Sequence, residues 1–178
     1  RVRTFEVDHP VTQTNKLGKV QRVFGKVPTH VTYVPVDFDT QTLSERLLSS
    51  GYDPGLLTLF IWQGVTMYLT LAGIDATLGF IVKNSAPGSA VVFDYVYQAV
   101  LDGIQKQSEI GNMRRYRFMT GEGLTFGIPE GTVERFLRER GFENVKDVSR
   151  DDLKAAYFTG KNANRKVVGG YGIAMGKV

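Results

Sequence analysis

The 178-residue chain contains no cysteine. That absence excludes disulfides, zinc–thiolate centres and thiol catalysis, and it suits a cytoplasmic protein. Histidine is almost missing too, with only His9 and His30 present, and no set of histidines and carboxylates has the spacing of a metal site. No apolar run approaches the roughly 18 residues of a membrane span, and no signal peptide is visible. Internal repeats, low-complexity segments and domain linkers are also absent. The net charge of +4 is modest. Its cations are dispersed: Lys16, Lys19, Arg22 and Lys26 line the polar side of one expected helix, and Arg114, Arg115 and Arg117 share a loop. Nucleic-acid binding would need such charges clustered with exposed aromatics, so these read as solvated faces, although the arginine loop also suits an anionic substrate.

What remains is ordinary globular material, 42% hydrophobic and 22% charged, enough for one domain over residues 1–178 with a single substantial core. β-rich runs alternate with helical patterns, the signature of a parallel sheet covered by helices. Residues 2–7 are an expected strand, and Pro10 starts a helix carrying Leu17, Val20 and Phe24 up to Gly25. Residues 30–36 alternate like a strand, and Thr42 with Glu45 forms a capping box for a short helix closed by Gly51. The continuous apolar run 56–62 predicts a central strand buried on both faces. Thr70 caps the next helix, with Leu71, Ile74, Leu78 and Ile81 inward, and residues 89–96 form the next strand. A helix over roughly 97–107 and an irregular stretch at 108–127 follow. Pro129 and Glu130 open a helix with Val133, Phe136 and Leu137 on one face, ended by Gly141. A strand near 142–148, a helix near 151–157 and a last strand within 166–178 complete a doubly wound α/β pattern.

Three motifs fall at carboxyl ends of expected strands, where doubly wound sheets bind their ligands. They are Glu6 and Asp8 in FEVDHP, Asp37-Phe38, and Gln63. A carboxylate accepts both hydrogen bonds of a ribose diol, and an acid beside an aromatic ring suits adenine. The competing reading makes Asp8 and Asp37 helix caps. Their occurrence after consecutive strands favours an adenine-containing cofactor. A glycine-rich loop ordinarily lies about 20 residues before such an acid, whereas Asp8 stands near the front of a chain beginning with Arg1. The expectation is a cofactor-binding domain lacking its first β-loop-α unit. Gly169-Gly170-Tyr171-Gly172 does not replace that loop, because no helix follows it and late-strand glycines mark close packing.

Four ordered segments, FEVDHP at 5–10, YVPVDF at 33–38, WQGVTMYLT at 62–70 and FGIPEGTVERFLRERGF at 126–142, together resemble the leucine carboxyl methyltransferase-like family of S-adenosylmethionine-dependent methyltransferases, including its bacterial and archaeal O-methyltransferase members. The resemblance implies a class I, Rossmann-like methyltransferase sheet, mostly parallel, and S-adenosyl-L-methionine as cofactor. It makes Asp8 the ribose-binding acid, with Glu6 beside it, and gives Asp37 and Phe38 the adenine end. Gln63 falls where the family usually carries a glutamate; the glutamine keeps an acceptor oxygen and loses the charge. Tyr68 and Met67 are the acceptor-pocket candidates; packing is the favoured reading for Met67 and Trp62.

The implied activity is methylation of a carboxylate or hydroxyl oxygen. A carboxylate acceptor is ionised at neutral pH and needs no general base, and no catalytic residue is identifiable. Two other readings stand beside it: a nicotinamide-dependent reductase on a similar sheet, and a non-catalytic fragment whose exposed sheet edges favour homo-oligomers. Little or no turnover is expected from residues 1–178 alone.

Overall fold

The computed structural model describes residues 2–38, 40–103, 123–167 and 169–178, and the chain divides into two compact units, Arg1–Pro54 and Gly55–Val178. Arg114, Arg115 and Arg117, and most of the stretch 108–127, lie outside the described residues.

The first unit is a β-α-β-α run: β1 (Thr4–Asp8), α1 (Pro10–Phe24), β2 (Val31–Pro35) and α2 (Leu43–Ser49). β1 and β2 pair in parallel, in register from Thr4 opposite Val31 to Asp8 opposite Pro35. Both helices start and stop where local chemistry directs. Pro10 occupies the first turn of α1, and Gly25 ends it at φ 71°, a left-handed conformation that costs glycine little. Thr42 and Glu45 form the expected capping box on α2. Gln13 is buried on α1 and donates through Nε2 to the Glu6 carbonyl at 3.2 Å, tying helix to strand. The apolar stripe of α1 is weaker than its spacing suggests, since Phe24 is largely exposed.

The second unit holds β3 (Leu59–Trp62), α3 (Leu71–Lys83), β4 (Ala90–Val96), α4 (Gln98–Leu101), α5 (Val133–Arg138), β5 (Glu143–Val148), α6 (Arg150–Tyr157) and β6 (Tyr171–Lys177). Its strand order is β3-β4-β6-β5. β3 and β4 are parallel; β6 runs antiparallel to both β4 and β5. One sheet face carries the core: Val91, Phe93, Tyr95 and Ala174 are buried, as are Ile74, Leu78 and Ile81 of α3 and Val133 and Leu137 of α5. Each such aliphatic side chain contributes about 1.5–3 kcal/mol when removed from water.

Three expectations need correction. β3 is not buried on both faces: Leu59 is 59% and Ile61 73% exposed. The reason is pairing and cover. β3 bonds only to β4 among the described strands, and their face is left open while the Phe93 face is packed. Leu71 is likewise largely exposed rather than inward. Finally, α5 begins at Val133, because Pro129–Thr132 closes first as a turn with a Thr132 N–H to Pro129 carbonyl bond of 3.1 Å.

Candidate functional site

In the first unit, parallel pairing sets the carboxyl ends of β1 and β2 side by side. The Val36 N–H donates to the Asp8 carbonyl at 3.0 Å, so Asp8 and the Asp37-Phe38 pair emerge from neighbouring strand ends. Neither acid is a helix cap. His9 caps α1, its Nδ1 accepting from the Val11 N–H at 3.3 Å, and Thr42 caps α2. Asp8 Oδ1 accepts the His9 N–H at 2.8 Å, which orients the carboxyl and uses one of its several acceptor positions. Asp37 lies in a tight turn in which its carbonyl accepts the Thr40 and Gln41 N–H groups at 3.1 and 2.8 Å. The Phe38 ring beside it is 47% exposed, offering a face to a planar ligand. Glu6 is otherwise engaged: its Oε2 pairs with Lys16 Nζ at 2.9 Å. His30 is exposed just before β2.

In the second unit, β3 ends at Trp62 and the chain turns through Gln63 and Gly64 into a short 3-10 turn, Thr66–Tyr68, before Thr70 caps α3. Two anchors fix this turn. Asp94, on β4, accepts the Gly64 N–H on its Oδ1 at 2.7 Å, and its carbonyl accepts the Thr66 hydroxyl at 2.6 Å. Thr125 donates its N–H to the Met67 carbonyl at 2.8 Å and its hydroxyl to the Leu69 carbonyl at 2.9 Å. Gly64 sits at φ 69°, so the turn itself requires glycine. On this scaffold Gln63 is exposed, Tyr68 half-buried and Met67 only 5% exposed, which favours packing for the methionine. Trp62 packs edge-on against Phe93.

Tyr171, on β6, completes the surroundings. Burial raises its phenol pKa above the usual 10.0, and the nearby Tyr68 and Asp94 add to the shift, so it stays a neutral hydrogen-bond donor at ordinary pH. Asp94, Thr125 and Tyr171 were not singled out from sequence. Asp94 alone left a signal, as an acid inside the otherwise apolar run SAVVFDYV.

The late glycines act in packing. An added Cβ at Gly172 would lie 2.6 Å from the Tyr95 ring, and one at Gly176 3.0 Å from Phe142. A cavity of about 190 Å³ beside them, lined by Tyr97, Glu130, Arg150 and Gly169 among others, contains none of the strand-end residues. Among the described residues no group of histidines and carboxylates could hold a metal ion.

A parallel strand pair in the first unit, and in the second a sheet of parallel and antiparallel strands with helices between them, are elements of the class I methyltransferase fold. The solved apo structure of the S-adenosylmethionine-dependent methyltransferase SibL superposes with a TM-score of 0.56 at 13% identity, over 99% of this chain and 43% of that one. The N-methyltransferase NodS of Bradyrhizobium japonicum WM9, solved with S-adenosyl-L-homocysteine, gives a TM-score of 0.53 at 16% identity, over 98% of this chain and 66% of that one. At these identities the likeness establishes the fold.

In sequence, the chain is similar to the leucine carboxyl methyltransferase family over its first part: that family's model matches residues 1–82. YktD of Bacillus subtilis (strain 168), named as a candidate S-adenosyl-L-methionine-dependent methyltransferase, is 28% identical over 164 residues, covering 92% of this chain and 53% of that protein. The chain thus spans about half the length of the curated relatives it matches. No helix among the described residues is long and apolar enough to cross a membrane.

Proposed function

We propose that the protein of which this chain is the sequence is an S-adenosylmethionine-dependent O-methyltransferase, acting on a carboxylate or hydroxyl of a small molecule or on a C-terminal carboxylate. The observation that carries the reading is the pair of acids at adjoining ends of β1 and β2, neither serving as a helix cap, with an exposed aromatic ring beside the second. That set fits an adenosine: Asp8 accepts from the ribose diol, while Asp37 and Phe38 take the adenine amino group and ring face. Glu6, held by Lys16, supports the strand and is the weaker ribose candidate. In the second unit, Gln63 is assigned to the cofactor and Tyr68 to the acceptor, with Met67 packing beneath.

When bound, S-adenosylmethionine supplies a methyl group already activated by its sulfonium. The residues of the chain then bind, orient and exclude water, the main protein contributions to an in-line displacement. An ionised carboxylate acceptor needs no proton removed. The absence of cysteine suits cytoplasmic residence, and β1 and β3, each bonded to one neighbour among the described strands, suit a homo-oligomer.

The test is an extract screen. Protein of natural length, incubated with S-adenosylmethionine and extract, is expected to yield a product heavier by one methylene. Production of S-adenosylhomocysteine with methyl on nitrogen or carbon would contradict the O-methyl assignment, and absence of any transfer would contradict the activity.

A further inference from the structure

Gln63 and its neighbours carry no charge from Gly64 to Thr70, yet a carboxylate is bonded to that segment from another strand. Asp94 reaches across from β4, its Oδ1 2.7 Å from the Gly64 nitrogen, and the partly exposed carboxyl forms no ion pair with lysine or arginine among the described residues. Its backbone carbonyl is also committed, to the fully buried Thr66 hydroxyl at 2.6 Å. The antiparallel register sets Asp94 opposite Ile173 and Val96 opposite Tyr171, so the carboxylate and the Tyr171 phenol share one sheet face. On β3, the same face carries Ile61, which is largely exposed. A helix cap or structural ion pair would account for an acid inside a strand, and Asp94 is neither.

We propose that Asp94 is a positioning residue that also supplies charge: it fixes the turn bearing Gln63 and Tyr68, and it gives that turn a negative charge for the cationic methyl-donor end of S-adenosylmethionine. The inference rests on the methyltransferase reading and adds a ligand preference to it. S-adenosylmethionine carries a sulfonium cation, and S-adenosylhomocysteine carries a neutral thioether in its place. A nearby carboxylate therefore favours the first over the second through charge alone, whereas a purely structural turn anchor affects both alike.

The experiment is calorimetric titration of both ligands into natural-length protein, its Asp94→Asn variant, and Asp94→Asn combined with Gln63→Glu. Asparagine retains the acceptor oxygen for Gly64 and removes the charge. Asp94→Asn is expected to lose about 5-fold or more in S-adenosylmethionine affinity while S-adenosylhomocysteine affinity is unchanged, and Gln63→Glu is expected to restore the preference. Equal weakening of both ligands, or no change in either, overturns the proposal. Should Asp94→Asn unfold, Gln63→Glu alone serves: it is expected to raise the preference for the sulfonium ligand, and an unchanged preference overturns the charge role. Native protein that binds neither ligand overturns the methyltransferase reading and this inference with it. Native protein that binds both, with no selective effect in the variants, overturns this inference alone.

Discussion

The Asp94 carboxylate accepts the Gly64 N–H at 2.7 Å, joining β4, an inner strand of the larger sheet, to the turn beyond β3 across 30 residues of sequence. Gly64 makes the bond possible, because its φ of 69° aims the N–H at β4. Gly64→Ala is expected to destabilise by about 1–2 kcal/mol. An added methyl meets nothing within 4 Å, so that cost is conformational. Chemical denaturation measures it, and a neutral result would mean that the turn does not hold this backbone geometry.

Gly172 tests packing where Gly64 tests conformation. A Cβ there would lie 2.6–2.7 Å from ring and hydroxyl atoms of Tyr95. Tyr95 is fully buried and tied to Asp147 through a 2.8 Å hydrogen bond, so it has little room to retreat. Gly172→Ala is expected to cost about 1–3 kcal/mol, seen as a lower denaturation midpoint with unchanged m-value.

Tyr95 itself makes stability depend on alkaline pH. Burial first, then the hydrogen bond and charge of Asp147, push its phenol pKa well above the usual 10.0. A raised folded-state pKa gives stability that is fully present below the unfolded value near 10 and is lost as pH rises towards the folded one. Tyr97 and Tyr171 shift in the same direction, chiefly through burial. Stability is therefore expected to fall above about pH 10, and Tyr95→Phe is expected to flatten that fall. An unaltered alkaline profile in Tyr95→Phe would contradict the assignment.

Thr125 holds the same turn from the opposite chain direction, bonding the Met67 and Leu69 carbonyls. Thr125→Val keeps the shape and removes the hydroxyl donor. The expected loss is about 0.5–1.5 kcal/mol of stability, with weaker binding of any ligand held by Tyr68. Thermal unfolding and titration measured together would separate the two effects, and unchanged values in both would exclude the clamp.

Much of this architecture was legible in the sequence because its determinants are local. Pro10 and Gly25 bracket α1, Thr42 and Glu45 cap α2, and Ile74, Leu78 and Ile81 recur at the spacing that buries one helix face. The strand-end acids were legible for the same reason. Their capping alternative could be set aside only by seeing His9 and Thr42 in those positions. The failures are non-local. LLTLFIW reads as a strand buried on both faces, but periodicity cannot say what covers Leu59 and Ile61. Asp94 and Thr125 were missed because each acts on a segment far away in sequence, through contacts that no local pattern encodes.

The most direct test of the central claim is equilibrium titration of S-adenosylhomocysteine into natural-length protein and its Asp8→Ala and Asp37→Ala variants. Saturable binding by the native protein is expected, weakened by about 1–3 kcal/mol in each variant as buried ligand hydrogen bonds go unmet, with folding retained. Absence of binding by native protein, or affinity unchanged from native in both variants, would contradict the assignment of these strand ends to the cofactor.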